Sequence, residues 1–260
     1  YGAEIATTDY NDILHNENID MVMITTRHDS HADLALKALR AGKHVFIEKP
    51  LAINKDEVDQ IQAFYQDGTS SKPMLMVGFN RRFSTYATEI RRHTDKRTNP
   101  LFINYRMNAG YIPLDSWQHE DGGRLIGEGC HIVDLMGSFT GAKIESVSTE
   151  HLTPKTQKWS KSDNRSIIIK YSDGSVCTIL YFSVGSKELS KEHMEVHFDG
   201  KTIVMDDYKS LKGYGVKVKN INSETSEKGQ LEELEAFYQA LKDPSGRWPI
   251  ELWDMVQTTE

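Results

Sequence analysis

Only two cysteines occur in 260 residues, Cys130 and Cys177, and they stand far apart and match no metal-ligand spacing. That excludes a disulfide-stapled framework, and reduced thiols in a cytoplasmic protein are the simplest expectation. No apolar run approaches the roughly 18 residues needed to cross a bilayer, so no membrane is expected as a partner. Basic residues are in deficit: 31 Lys and Arg against 38 Asp and Glu leave a net charge of −7, which gives no reason to expect nucleic acid either. Basic doublets such as Arg81-Arg82 and Arg91-Arg92 read as solvated faces or local ion pairs. Internal repeats and low-complexity tracts are missing. The chain also lacks a starting methionine and a signal-peptide pattern, and it stops at "PIELWDMVQTTE", inside an apparent helix. A piece of a longer polypeptide is therefore expected.

What is present divides near Gly78. In residues 1–78 strand and helix signals alternate. "DMVMIT" (20–25) is a short continuous apolar run, as expected of a strand covered on both faces. Ser30 can cap a helix whose stripe is Ala32, Ala35, Leu36 and Leu39, with Gly42 just past its end. "HVFIE" (44–48) is the next strand, Asn54-x-x-Glu57 resembles a capping box before a helix closed by Gly68, and "MLMVGF" (74–79) is a third strand. Strand, helix, strand, helix, strand with short links predicts parallel pairing. Residues 79–260 have another texture. Asp173-Gly174 and Asp199-Gly200 each separate two β-rich runs, so hairpins and a largely antiparallel sheet are expected. Leu231, Leu234, Phe237, Tyr238 and Leu241 recur at helical spacing, which predicts a late helix docked on that sheet. The fold class is α/β: a parallel sheet, then an α+β domain with an open, mostly antiparallel sheet.

Chemistry is expected at the strand ends, because ligands of open parallel sheets bind outside the carboxyl ends of the strands. Thr25, Thr26, Arg27 and His28 follow one strand there, and Glu48, Lys49 and Pro50 follow the next. Lys49 is either a solvated loop residue or a proton donor aimed by a proline-stiffened loop. Farther on, Glu128, His131 and Asp134 are three apart on a predicted helix and would share a face. A carboxylate beside an imidazole serves acid-base work, and a hydrogen-bonded core histidine explains the same pattern. Tyr111 and Trp117 could stack on a sugar ring or simply pack. His28-x-x-His31 lacks a third metal ligand, and no metal site is assigned. His193, Glu195 and His197 alternate along a predicted strand and so face one side of it.

Four ordered stretches, "ITTRHDSHADLALKALRAGKHVFIEKPLA", "VGFNRRF", "YIPLDSWQHEDGGRLIGEGCHIVDL" and "KGQLEELEAFYQAL", resemble the Gfo/Idh/MocA oxidoreductases. They are most similar to the branch fused behind a zinc alcohol-dehydrogenase-like domain. The resemblance implies a partial NAD(P)-binding Rossmann domain over 1–78, its first strands missing, and a substrate and oligomerisation domain over 79–260. It implies hydride transfer between NAD or NADP and a secondary alcohol of a sugar, nucleotide sugar or polyol-like compound. Thr25, Thr26, Arg27, His31, Glu48, Lys49 and Pro50 would line the cofactor. His131 would take the hydroxyl proton, Lys49 would polarise the oxygen and Glu128 would orient them. Arg82, Tyr111, Trp117 and Asp134 would contact substrate, and the second-domain sheet would form a homo-oligomer. Two departures stand out. Gly127 occupies the position where many members carry an aspartate four residues before the histidine, and the Gly-rich phosphate turn should precede Tyr1 by several tens of residues. A regulatory or assembly module that keeps the fold without turnover is the alternative.

Overall fold

Val45, Phe46 and Ile47 are almost fully buried, as the apolar run 44–48 predicts, and a small parallel sheet is built around them. The structure, a computed structural model, describes residues 2–66, 72–119 and 123–260. After a short helix α1 (Tyr10–Leu14), strands β1 (Met21–Ile24), β2 (His44–Ile47) and β3 (Leu75–Val77) alternate with helices α2 (His31–Arg40) and α3 (Lys55–Gln66). The middle strand, β2, pairs in parallel with both neighbours. Ala32, Ala35, Leu36 and Leu39 of α2 and Val58 and Ile61 of α3 bury the stripes read from their spacing.

The local stop and start signals act through backbone geometry. Gly42 takes φ +77 just past α2, where a side chain would be strained. Asn54 Oδ1 accepts from Glu57 N at 3.0 Å, and the Glu57 carboxylate accepts from Ile53 N at 2.9 Å, a reciprocal cap at the start of α3. Gly68, the expected end of that helix, lies outside the described residues. Two expectations are corrected. Ser30 stands at the start of α2 but caps nothing with its side chain; its hydroxyl donates instead to Thr26 Oγ1 at 2.7 Å. Strand β1 is not covered on both faces. Met23 is 48% exposed, and β1 has a strand neighbour on one side only among the described residues.

The second stretch forms α4 (Thr85–Thr94), β4 (Phe102–Asn108), α5 (Cys130–Thr140), β5 (Ile144–His151), β6 (Asn164–Tyr171), β7 (Val176–Phe182), β8 (Glu192–Phe198), β9 (Lys201–Asp206) and β10 (Ser210–Tyr214). Its sheet runs β10-β9-β8-β4-β7-β6-β5, antiparallel except where β4 meets β7. Both Asp-Gly hairpins form. At Asp199-Gly200 both residues adopt positive φ, the turn whose twist suits antiparallel strands. One sheet face is closed by Tyr86, Ala87 and Ile90 of α4 and by Ile132, Leu135, Met136 and Phe139 of α5. Each such large side chain contributes about 2 kcal/mol by leaving water. On the opposite face Phe102, Ile168 and Leu180 are 49%, 46% and 44% exposed.

The chain divides into two units, Tyr1–Gly78 with Ala236–Glu260, and Phe79–Glu235. Residues 236–260, expected with the second stretch, thus lie in the first unit. Phe237, in α6 (Gln230–Lys242), packs edge-to-face on Phe46 at 5.6 Å, and Trp248 meets Tyr65 at 5.2 Å. Helix α7 (Leu252–Thr259) ends where Glu260 pairs with Lys55 at 3.0 Å. The stripe on α6 does not dock as a whole. Phe237 is buried, but Leu231, Leu234 and Tyr238 are 66%, 39% and 53% exposed. Among the described residues, the buried core against the seven-stranded sheet draws on α4 and α5 and on no residue of α6.

Gly229, just before α6, takes φ +88, and a Cβ there would lie 2.5 Å from Asn80 O and from Ser84 N. Both contacts are backbone and cannot rotate away. Gly229→Ala should cost about 2–4 kcal/mol and lower the melting temperature by roughly 5–15 °C. Thermal unfolding followed by circular dichroism checks this; an unchanged midpoint would contradict the crowding.

Candidate active site

Ile24 and Ile47 are register partners at the carboxyl ends of β1 and β2, and Glu48 N donates to Ile24 O at 2.9 Å. The loops that follow therefore leave the sheet side by side, at the edge where a parallel sheet takes its ligand. On the first loop Thr25, Thr26 and Arg27 are exposed; on the second Glu48 and Lys49 are half-buried and Pro50 is buried. The Lys49–Pro50 peptide bond is cis. Gly78 passes under the Glu48 carboxylate so closely that an added Cβ would lie 3.4 Å from Oε2.

His31, expected along a cofactor, has no exposed surface. Its ring lies between the two loops, with Nδ1 2.7 Å from Pro50 O and Nε2 3.0 Å from Thr26 O. The ring therefore meets protein backbone rather than a ligand. With both nitrogens so engaged, His28-x-x-His31 offers no metal pair, and among the described residues no group of three His, Cys, Asp or Glu could hold a metal ion.

In the second unit a π-helical turn (Leu125–Gly129) runs directly into α5, an arrangement often found at functional sites. His131 follows at the start of α5, 8% exposed, its ring edge-on to Phe79 at 6.4 Å. The expected common face of Glu128, His131 and Asp134 does not form. Two three-residue steps leave Asp134 about 120° from Glu128 even on a regular helix, and the wider turn adds to the divergence. Glu128 turns to the sheet. Its Oε1 accepts from Lys191 Nζ at 2.6 Å and its Oε2 from Tyr181 OH at 2.8 Å, with Arg124 3.6 Å away. Burial pushes the Glu128 carboxyl up, but Lys191, Tyr181 and Arg124 outweigh this and hold it below its ordinary value. Asp134, with no exposed surface, accepts from Arg82 Nε at 2.9 Å and also pairs with Nη2. Two residues expected on substrate thus direct their charges at one another.

Arg81 and Arg82, expected on a solvated face or in local pairs, are buried and paired over long range. Arg81 forks onto Glu192 at 2.9 and 3.0 Å. Lys228 Nζ donates to the same carboxylate at 2.6 Å, and Tyr105 OH donates to it as well. Burial pushes Glu192 up, and Arg81 and Lys228 override it, bringing its carboxyl down to about 2. The pattern carried a signal for this. Glu192 has the same parity as Met194, Val196 and Phe198, the buried face of β8, and an acid on that face requires a cation. Lys191, Tyr181 and Arg124 gave no such short-range sign. Tyr111 and Trp117 are 39% and 45% exposed. Tyr111 packs edge-on against Trp159 at 5.3 Å, with the Lys158 ammonium over both rings.

Residues 1–96 match the family model of the Gfo/Idh/MocA proteins, described as an oxidoreductase family with NAD-binding Rossmann fold. An inositol 2-dehydrogenase from Salmonella typhimurium is 34% identical over 109 residues, which are 40% of this chain and 32% of that protein. The matched stretch thus spans about a third of that relative's length. A solved oxidoreductase domain protein from Kribbella flavida superposes with a TM-score of 0.80 at 23% identity, covering 97% of this chain and 78% of the other. A levoglucosan dehydrogenase solved with NADH and levoglucosan gives a TM-score of 0.77 at 20% identity, covering 97% and 78%.

The Glu192 cluster makes acid stability predictable in sign. A carboxyl held near 2 when folded and near 4.5 when unfolded stabilises the protein fully above the unfolded value. That contribution, on the order of 3 kcal/mol, is lost as pH falls from about 4.5 toward about 2. Urea unfolding at stepped pH should show this slope, and Glu192→Gln should flatten it; an undiminished slope in the variant would reject the assignment.

Proposed function

We propose that this chain, related to the Gfo/Idh/MocA oxidoreductases, is the substrate-facing part of an NAD(P)-dependent dehydrogenase of sugars or polyol-like alcohols. One observation carries this. The in-register ends of β1 and β2 place Thr25, Thr26 and Arg27 beside Glu48 and Lys49, within the segment that matches the NAD-binding model. The donor set fits a nicotinamide dinucleotide: exposed hydroxyls and a guanidinium suit ribose and phosphate oxygens, and a half-buried ammonium suits an alcohol oxygen. The 260 residues contain no G-x-G-x-x-G turn for the diphosphate.

When bound, the nicotinamide supplies a hydride acceptor at C4. The chain's own residues handle the proton and the oxygen. Lys49 donates to the substrate oxygen and stabilises negative charge there as the C–H bond breaks. His131, shielded from water, accepts the hydroxyl proton. Glu128, tied to Lys191 and Tyr181, holds the start of α5 and so positions the histidine. Tyr111 and Trp117 offer exposed rings to the apolar face of a sugar. The uncovered face of the seven-stranded sheet, with Phe102, Ile168 and Leu180 exposed, is where a second copy would dock.

Lys49→Ala should lower kcat for a polyol or sugar about 10²–10⁴-fold while changing dinucleotide affinity far less. Steady-state kinetics paired with NADH fluorescence titration measure both. Near-normal turnover discards the role of Lys49, and dinucleotide binding without any turnover favours a regulatory module.

A further inference from the structure

Tyr111 and Trp159 come from separate segments and meet edge-to-face, their ring centroids 5.3 Å apart and their planes at 80°. The Lys158 ammonium stands over both rings, 4.9 Å from the centre of Trp159 and 5.4 Å from that of Tyr111. The corner is open: Tyr111 is 39% exposed and Trp159 is half-buried. Lys158 is itself exposed and pairs with no carboxylate among the described residues. Arg124, a buried residue, fixes where this corner lies. Its guanidinium donates to Ala109 O at 2.9 Å and to Gly110 O at 2.8 Å, just before Tyr111. It also donates to Asp163 at 3.2 Å, shortly past Trp159, and stands 3.6 Å from Glu128 on the turn that leads into His131. One side chain thus gathers both walls of the corner at the turn that carries the candidate base.

We propose that Tyr111, Trp159 and Lys158 form a substrate subsite for a pyranose ring bearing an anionic substituent, a carboxylate or a phosphate ester. The C–H face of a pyranose is apolar and packs on an aromatic ring, while the ammonium beside it donates to the anion. Rings that served packing alone would be buried, and these are open to a ligand. A charge-assisted hydrogen bond outweighs a cation–π contact at an exposed site, so the ammonium can exchange the rings for an anion. The 151–163 segment favours the same sign of ligand. It carries Lys155, Lys158 and Lys161, and its one acid, Asp163, is buried and answered by Arg124. The wall that holds Trp159 therefore presents positive charge to a ligand. The subsite rests on the dehydrogenase reading only for what happens to the sugar once it is bound.

Intrinsic tryptophan fluorescence of the 260-residue chain, titrated with glucuronate, glucose 1-phosphate and glucose, tests the subsite. Glucuronate or glucose 1-phosphate should quench the emission and bind about three- to tenfold tighter than glucose. The tighter of the two identifies the anion as carboxylate or phosphate. Trp159→Phe keeps the corner aromatic and should abolish the quench, with binding then followed by calorimetry. Lys158→Met keeps the apolar stem and should bring the anionic sugars to the level of glucose. If Trp159→Phe does not fold, Lys158→Met decides alone. Equal affinities for the three sugars, or no binding of any, overturn the proposal. So does a quench that survives Trp159→Phe or a charge preference that survives Lys158→Met. Turnover with NAD or NADP is read separately. Anionic sugars bound with this preference but never oxidised count against the dehydrogenase reading and leave the subsite. Neutral polyols oxidised without any preference for charge sink the subsite and leave that reading.

Discussion

The ion pair between Arg81 and Glu192 joins residues 111 apart in sequence, with both side chains buried. Taking either charge out of water alone would cost several kcal/mol, a cost that the pairing offsets for both. Its neighbour, the fork of Arg82 on Asp134, ties the same short turn (Asn80–Phe83) to α5. One turn therefore holds the strand β8 and the helix that carries His131, and it does so with directional bonds rather than with apolar area. Oil-like contacts would permit sliding between α5 and the sheet. Two guanidinium forks fix both distance and rotation.

The same logic, a polar group that must be satisfied where water is excluded, recurs at each part of the candidate site. Glu128 is satisfied by Lys191 and Tyr181, and the carboxylate anchors the π-helical turn just before His131. In the first unit His31 spans two backbone carbonyls and holds two loops at the ends of adjacent strands. None of these groups needs to touch a ligand in order to matter. Each restricts where a chemically active neighbour can be, and a restriction of that kind lowers the entropy lost when substrate and catalyst are brought into register.

Strand and helix order, the parallel pairing of three strands and both Asp-Gly hairpins were legible in the sequence, because each rests on near-neighbour physics: side-chain period, turn dihedrals and caps. The Lys49-Pro50 loop was legible too, since a charged residue at the end of an apolar run marks a strand end. What misled was the assumption that neighbouring residues share a fate. Arg81 and Arg82 looked like a surface doublet, yet they serve two different carboxylates. Leu231, Leu234 and Tyr238 looked like a docking stripe, yet only Phe237 of that helix face is fully covered.

Periodicity and turn chemistry along the chain determined the elements, their order and the loop that offers Lys49, since these depend on energies exchanged within a few residues. Tertiary structure alone decided which charge answers which: Glu192 with Arg81 and Lys228, Asp134 with Arg82, and Glu128 with Lys191. A buried charge accepts any partner of suitable sign and geometry wherever it lies in the chain. The pairing is therefore settled by which elements the fold brings within about 3 Å of one another, a property no local stretch of sequence contains.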